Sequence, residues 1–309
     1  MIKENESLSK HTNFRIGGPA RWFVEARSET DAREAIAFAK EQSVSYCVIG
    51  GGSNVLASDE GFFGVVIQMA MRGVRIEGTT VVAEAGAMSA AVARQTAEAG
   101  LQGMEWAVSI PGTIGGAVRG NAGCFGGEMK DSVVSVRVLR DGKIVEVAKD
   151  TAQFGYRESS FKRSNDIILS VTLALEPGDR EALLKKIDET LAKRKASQPL
   201  YGGSAGCMFK NYDATDEDLQ RLQREVDVLP SEMSASRRVP AGWLIDKLGL
   251  KGTRIGDVEI SREHGNFIVN LGKATASDVT QVIALVKTKA RDRFGIQLQE
   301  EVQYVGFNN

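Results

Sequence analysis

The chain has 309 residues, a net charge of −1, 42% hydrophobic residues and 26% charged residues. This composition is typical of globular proteins, and the near-zero charge excludes a general attraction to nucleic acid or to a membrane surface. Three cysteines without paired spacing and only two histidines argue against a disulfide framework and against a metal site. No apolar run reaches the roughly 18–20 residues of a membrane span, and the polar N-terminus lacks a signal-peptide core, so we expect a cytoplasmic protein of two or three domains.

The first part of the chain alternates between predicted helices and strands. Ser28 to Asp31 form a capping-box pattern before a helix over 32–42. Asp141 and Gly142 predict a hairpin turn. By hydrophobic periodicity, further helices are predicted over 89–99 and 181–196, and strands over 46–49, 65–69, 133–139, 144–147 and 167–175.

The Gln198-Pro199 pair ends the helix over 181–196 and is the best domain boundary in the chain. Beyond it, helices are predicted over 242–248 and 277–294, and strands over 267–269 and 302–305. Helices and strands are mixed throughout, so the fold class is α/β or α+β.

Two glycine-rich stretches are candidates for binding an anion: "IGGGSNVL" (49–56), directly after a strand, and "SIPGTIGGAVRGNAGCFGGE" (109–128). Glycines let consecutive backbone N–H groups turn toward one point, which favours a phosphate. The first stretch is neither a dinucleotide fingerprint nor a P-loop, and alone it fits a tight turn between strands equally well. Together, the two stretches favour an extended ligand with two phosphates and a flat ring.

At these and other motifs, the sequence resembles the UDP-N-acetylenolpyruvoylglucosamine reductase family, flavoenzymes that make UDP-N-acetylmuramate for bacterial peptidoglycan. Besides the glycine stretches, the resemblance is carried by "HTNFRIGGPA" (11–20), "FGYRESSF" (154–161), "GCMFKN" (206–211), "AGWLIDKLGLKG" (241–252), "HGNFIVN" (264–270) and "EEV" (300–302). The motifs span nearly the whole chain, and the short spacing after "FGYR" is similar to the second, shorter type of the family.

The resemblance implies an α+β fold: a vanillyl-alcohol-oxidase-type FAD-binding domain of two subdomains (1–70 and 71–197), followed by a C-terminal α+β substrate-binding domain (198–309). FAD is expected to be bound non-covalently and NADPH to donate the hydride, which the flavin passes to C3 of the enolpyruvyl group. The implied FAD contacts lie in the glycine stretches, at Ile49, Gly50, Gly51, Gly52, Ser53, Asn54, Ile110, Pro111, Gly112, Thr113, Gly115, Gly116, Asn121, Ala122 and Gly123.

Two catalytic residues follow from the matched motifs. Arg157 matches the arginine that binds the substrate carboxylate, and a guanidinium suits a carboxylate geometrically; without the motif, a surface salt bridge would be favoured. Glu301 matches the catalytic glutamate, which stabilises the enolate-like state that hydride addition creates. Glu300 is the competing assignment, and strand alternation would place residues 301, 303 and 305 on one face.

Cys207 occupies the position where the family usually carries a serine that protonates C2, in the pattern G-S-x-F-K-N. A thiol, with an ordinary pKa of about 8.5, releases a proton more readily than a hydroxyl. The resemblance therefore implies that Cys207 is the general acid, whereas the motif-free interpretation is a small buried apolar residue. Cys47 and Cys124 are interpreted as packing residues.

Polar residues in or near the C-terminal domain are candidates for contacting the substrate: Tyr156, Gln198, Tyr201, Lys210, Asn211, Arg237, Arg238 and Asn266. The Arg237–Arg238 pair could equally be exposed positive charge. We expect small-molecule partners only, and a monomer.

Two other functions fit parts of the sequence. A flavin oxidase of the same fold would tether FAD, for which Cys124 is a candidate. A UDP-sugar-binding sensor would explain the unusual Cys207, but Arg157 and Glu301 argue against it.

Overall fold

The computed structural model describes residues 1–199 and 201–307. Its strands are β1 (Ile2–Ser7), β2 (Pro19–Ala26), β3 (Tyr46–Ile49), β4 (Val55–Ala57), β5 (Phe62–Met69), β6 (Val74–Glu77), β7 (Thr80–Glu84), β8 (Leu101–Gln102), β9 (Gly123–Cys124), β10 (Gly127–Glu128), β11 (Val133–Arg140), β12 (Lys143–Ala148), β13 (Ile167–Ala174), β14 (Glu176–Pro177), β15 (Tyr212–Asp213), β16 (Arg238–Val239), β17 (Arg254–Ile255), β18 (Val258–Ile260), β19 (Ile268–Asn270) and β20 (Gln303–Val305). Its α-helices are α1 (Glu29–Glu41), α2 (Ser89–Glu98), α3 (Ile114–Arg119), α4 (Met129–Ser132), α5 (Arg180–Ser197), α6 (Asp216–Glu225), α7 (Ser231–Ser236), α8 (Ala241–Lys247) and α9 (Ala276–Phe294).

The chain forms two compact units, and their segments alternate along the sequence. Unit 1 consists of residues 1–6, 20–52 and 63–196. Unit 2 consists of residues 7–19 and 53–62 and the described residues from 197 onward. The predicted division into parts at residues 70 and 197 stays a prediction.

Unit 1 is built on two sheets. One has the strand order β1-β2-β5-β3, with β3 and β5 parallel, and the other has the antiparallel order β12-β11-β13-β7-β6. Helix α1 begins at the predicted cap, where Ser28 Oγ accepts a hydrogen bond from the Asp31 amide. Its buried alanine face joins a core formed by residues of both sheets, such as Val65, Ile67 and Val136.

Unit 2 packs helices around the antiparallel sheet β17-β18-β19, and strands β4 and β20 form a separate parallel pair. Helix α9 has a capping box at Thr275 and ends at Gly295 in the left-handed region. Its buried residues recur at three- and four-residue intervals and join a core that also includes Phe14, Ile16 and Leu56. The early segments 7–19 and 53–62 are therefore part of the core of unit 2.

The predicted helices and strands are all present, with ends within three residues of the observed bounds. The sequence analysis missed α3, which lies inside the second glycine stretch, because Gly115 and Gly116 lower helix propensity. It was wrong about the strand at Glu301: β20 begins at Gln303, so the alternation argument does not apply there.

Among the described residues, no helix combines the length and the apolar character that crossing a bilayer requires. The same residues contain no group of three or more His, Cys, Asp or Glu side chains arranged to hold a metal ion.

Candidate active site

The parts of the two glycine stretches that belong to unit 1 lie against each other. A Cβ atom added to Gly50 would collide with Thr113 Oγ1, and one added to Gly51 would lie 3.1 Å from the Gly112 Cα. Glycine at position 50 therefore leaves room for the Thr113 side chain, and glycine at position 51 allows a close approach to the Gly112 backbone. Residues that are about 60 positions apart in sequence are thus adjacent in the folded chain, as a shared ligand site requires.

The polar groups of these stretches fit FAD. Thr113 Oγ1, in unit 1, is buried without a hydrogen-bond partner, and so is Asn54 Oδ1, at the end of the first stretch in unit 2. Buried polar atoms without a partner are uncommon in native proteins and call for an explanation. A hydroxyl that can donate to a phosphate and an amide oxygen that can accept from a ligand hydroxyl suit a dinucleotide such as FAD.

Arg157 lies at the corner of a tight turn in unit 1. The backbones of Gly155 and Glu158 pair at 2.9 and 3.2 Å, which places Tyr156 and Arg157 at the two corner positions. Arg157 has a φ of 55°, in the left-handed region that non-glycine residues seldom adopt. Such strain is characteristic of functional sites, where the surrounding structure maintains it.

Side chains hold this turn in place. Arg157 Nη2 donates to the Gly123 carbonyl at 2.9 Å, and Lys162 Nζ donates to the Arg157 carbonyl at 2.7 Å. The guanidinium carbon lies 5.3 Å from the centre of the Tyr156 ring. These contacts orient the guanidinium and connect it to the second glycine stretch.

Asn121, a predicted FAD contact, links the glycine stretch to the Arg157 turn. It is fully buried, and its Nδ2 donates to the Gly155 carbonyl at 2.8 Å and to Glu128 Oε2 at 2.9 Å. Its Oδ1 accepts from the Lys130 amide at 3.0 Å. The side chain is therefore engaged with the protein, and its observed role is to anchor the turn.

In unit 2, the segment of residues 206–210 lies between two other extended segments. Cys207 pairs with Phe267 on one side, and Phe209 pairs with Glu300 on the other. The Lys210 amide donates to the Gln299 carbonyl at 2.8 Å. Met208 and Phe209 are buried, whereas Cys207 is half-buried.

Asn266, a predicted substrate contact, binds the backbone of this segment. Its Oδ1 accepts from the Phe209 amide at 2.9 Å, and its Nδ2 donates to the Phe209 carbonyl at 2.8 Å. Its own carbonyl accepts from the Met208 amide at 2.8 Å. Asn266 is only 2% exposed, and its three hydrogen bonds hold the backbone of Met208 and Phe209 in place.

Glu301 lies directly beside the Cys207 segment, because its amide donates to the Met208 carbonyl at 2.8 Å. The alternative residue, Glu300, has its carboxylate Oε1 2.9 Å from Lys287 Nζ on α9. This ion pair engages Glu300 with the helix and supports the choice of Glu301 as the catalytic residue.

The remaining predicted substrate contacts differ in their surroundings. Asn211 Oδ1 accepts from the Ala241 amide at the start of α8, at 3.2 Å, and Gln198 Oε1 is buried without a partner. Arg237 and Arg238 are exposed and form ion pairs with Asp216 and Asp213 at 2.8 and 3.1 Å. Tyr201 donates to Glu259 at 3.4 Å. Only Asn211 follows the Cys207 segment directly in sequence.

The other two cysteines have no environment that activates a thiol. Burial raises the pKa of Cys47 to about 11. Burial also raises the pKa of Cys124, whose sulfur lies 3.3 Å from Ser109 Oγ and 3.5 Å from the Trp106 carbonyl. A raised pKa disfavours the thiolate that forming a covalent flavin link would need, and non-covalent binding of FAD stays a prediction.

The sequence analysis did not identify Lys162 and Gln303 as part of the site. Lys162 binds the Arg157 carbonyl, and Gln303 Nε2 donates to the Glu301 carbonyl at 2.9 Å. Both bonds join side chains to main-chain atoms, and no sequence pattern signals such contacts. Only proximity to a matched motif could have indicated them.

Comparison with known proteins identifies two domain families. Residues 20–148 match the family model described as an FAD binding domain, and residues 198–305 match that of the UDP-N-acetylenolpyruvoylglucosamine reductase C-terminal domain. These two matches confirm the predicted fold class.

Full-length relatives agree. The chain is 36% identical over 307 residues to the UDP-N-acetylenolpyruvoylglucosamine reductase of Clostridium novyi, covering 99% of this chain and 92% of the relative. It is 38% identical over 311 residues to the enzyme of the same name from Lactiplantibacillus plantarum, covering 99% and 94%. The solved structure of the Thermus caldophilus reductase superimposes with a TM-score of 0.79 at 33% identity, covering 99% of this chain and all of that one.

Proposed function

This chain belongs to the UDP-N-acetylenolpyruvoylglucosamine reductase family, and we propose that it reduces the enolpyruvyl nucleotide sugar to UDP-N-acetylmuramate with Cys207 as the proton donor. The chemistry that bound FAD supplies is hydride transfer, from NADPH to the flavin and from the flavin to C3 of the enolpyruvyl group. A proton added at C2 completes the reduction of the double bond. Gly50–Gly52 and Thr113 of unit 1 would hold the cofactor, and Asn54 of unit 2 is a further predicted contact.

Arg157 binds the substrate carboxylate. Hydride addition at C3 moves negative charge onto C2 and this carboxylate, and a guanidinium fixed in advance stabilises that charge at no cost of reorganisation. The Gly123 carbonyl and the Tyr156 ring support this role, because they orient the guanidinium within unit 1.

Cys207 donates the proton to C2, and its sulfur becomes a thiolate that recovers a proton from solvent before the next turnover. Glu301, next to the substrate carboxylate, stabilises the enolate-like state as a hydrogen-bond donor in its protonated form. The observation that carries the proposal is the 2.8 Å bond from the Glu301 amide to the Met208 carbonyl. It places the backbone of Glu301 opposite Met208, the residue that follows Cys207.

Stopped-flow kinetics of Cys207→Ala test the assignment. We expect reoxidation of the reduced flavin by UDP-N-acetylglucosamine enolpyruvate to fall by about 10²–10⁴-fold, the usual contribution of a general acid. Flavin reduction by NADPH serves as the internal control, Cys47→Ala as the matched cysteine control, and Cys207→Ser should retain most of the rate. If Cys207→Ala reoxidises at the wild-type rate, Cys207 is only a packing residue.

We further infer that the enzyme acts as a monomer in the cytoplasm, where its nucleotide-sugar substrate and NADPH are available. Sedimentation at a mass near 33.3 kDa is expected, and a mass of twice that value would contradict the monomer.

A further inference from the structure

The backbone of Glu301 is held on both sides. Its amide donates to the Met208 carbonyl at 2.8 Å. Its carbonyl accepts two hydrogen bonds, from Asn54 Nδ2 at 3.1 Å and from Gln303 Nε2 at 2.9 Å. All four residues belong to unit 2.

The two side-chain bonds to the Glu301 carbonyl take the place of the main-chain bonds that a β-strand would supply. Glu301 lies outside regular secondary structure, because the parallel pairing of β4 and β20 begins only at Gln303. The Gln303 amide starts this pairing by donating to the Asn54 carbonyl at 2.9 Å. The side chains of Asn54 and Gln303 extend the same alignment back by two residues, to Glu301.

The two hydrogen bonds to the Glu301 carbonyl restrict the orientation of the Glu301 side chain relative to its surroundings. Rotation of the peptide group after Glu301 would change ψ of that residue and shift its carboxyl group relative to the Cys207 segment. Displacements of about 1 Å in catalytic groups cost up to about 10²-fold in rate. Two donors on one carbonyl oxygen, from side chains 249 residues apart in sequence, form an arrangement that restricts this rotation.

We propose that Gln303, together with Asn54, is a positioning residue for Glu301 in the oxidative half-reaction. The proposal rests on the proposed function, in which Glu301 stabilises the enolate-like state. Gln303 acts through Glu301 and does not itself touch the substrate. Asn54 is itself a predicted FAD contact, and its side chain binds the Glu301 carbonyl within unit 2.

The test is a double-mutant cycle on Gln303→Met and Glu301→Ala, with single-turnover reoxidation of the NADPH-reduced flavin by UDP-N-acetylglucosamine enolpyruvate as the readout. Methionine keeps the length of the side chain and removes the donor. We expect Gln303→Met alone to slow reoxidation about 10-fold, and to change the rate less than 2-fold when Glu301 is already alanine. Flavin reduction by NADPH and the flavin absorbance spectrum should remain as in the wild type.

Gln281→Met is the matched control, because Gln281 Nε2 also donates to a main-chain carbonyl of unit 2, that of Ser277, on the exposed face of α9. Equal slowing by Gln303→Met in both backgrounds, or no slowing in either, would overturn the positioning role. A wild-type enzyme that fails to reoxidise with the substrate would instead overturn the proposed function. If the wild type turns over and Glu301→Ala is fully active, the assignment of Glu301 fails, and the role of Gln303 fails with it.

Discussion

The turn that carries Arg157 is held by side chains bonded to main-chain atoms, whereas the segment that carries Cys207 is held largely by main-chain atoms bonded to each other. In the first region, Asn121, Arg157 and Lys162 each supply a side-chain donor to a carbonyl group. In the second, the amides of Met208, Lys210 and Glu301 form the bonds, and Asn266 is the main side-chain contributor.

This difference matches the geometry that each catalytic group needs. A left-handed corner at Arg157 cannot belong to a ladder, so it requires specific side chains to maintain it. An extended segment is aligned by main-chain hydrogen bonds to the segments on both sides, so the loss of one bond leaves the others in place. We therefore expect the Arg157 turn to be sensitive to single substitutions and the Cys207 segment to be more tolerant.

The largest effect is expected from Asn121→Ala in unit 1. The substitution removes the donors to Gly155 and Glu128 and the acceptor for Lys130, and it leaves buried polar groups without partners. It also places alanine at a φ of 41°. We expect a loss of about 2–4 kcal/mol in the free energy of unfolding, measured by urea denaturation.

Asn121→Gly separates the two causes, because glycine accepts the positive φ but cannot restore the hydrogen bonds. It should regain only about 1 kcal/mol. A variant Asn121→Ala as stable as the wild type would mean that the turn does not depend on this side chain.

A smaller effect is expected from Asn266→Ala in unit 2. Alanine removes the acceptor for the Phe209 amide and the donor to the Phe209 carbonyl, two bonds against the three that Asn121→Ala removes. The main-chain bonds of Met208, Lys210 and Glu301 remain, so we expect a loss of about 1–3 kcal/mol and only a modest slowing of flavin reoxidation. A loss larger than that of Asn121→Ala would reverse the comparison.

The smallest effect is a pH dependence in unit 2. The Asn266 amide donates to His264 Nδ1 at 3.2 Å, which requires that nitrogen to be unprotonated. Burial lowers the pKa of His264 below its usual value of 6.5. The unfolded chain therefore binds a proton more readily than the folded one, so this stabilisation is present above about pH 6.5 and is lost as the pH falls toward the lowered folded pKa.

Thermal unfolding between pH 7 and pH 5 measures this effect. The wild type should lose more stability over this range than His264→Gln, whose side chain does not titrate. Parallel profiles for the two proteins would show that His264 does not contribute to the pH dependence.

The sequence predicted much of the fold because many elements carry local signals. Strand β3 has the predicted bounds, and α1 begins at its predicted cap, because alternation and capping are short-range properties. Helix α3 was missed because its glycines are required by close packing, as at Gly115, where a Cβ would lie 2.8 Å from that of Ala85. The incorporation of residues 7–19 and 53–62 into unit 2 depends on tertiary contacts that no local pattern encodes.

The candidate site was predicted from motifs rather than from physical pattern. Alone, Arg157 would be interpreted as a surface residue and Cys207 as a packing residue; the family motif favoured catalysis, and these two roles stay predictions. The structure adds what the motif cannot supply, namely how each residue is held. The side-chain amides of Asn121 and Asn266 bind main-chain atoms distant in sequence, which the motifs did not indicate, and the predicted ligand contacts of both residues stay predictions.

The interleaved construction of unit 2 has a consequence for synthesis on the ribosome. Phe14, Ile16 and Leu56 leave the exit tunnel early, but most of the core that buries them lies after residue 204. At a synthesis rate of about 5–20 residues per second, these apolar side chains are outside the tunnel for tens of seconds before the rest of the core has been synthesised. A fragment limited to residues 198–305 would lack the same side chains, so we expect it to be less stable than the whole of unit 2.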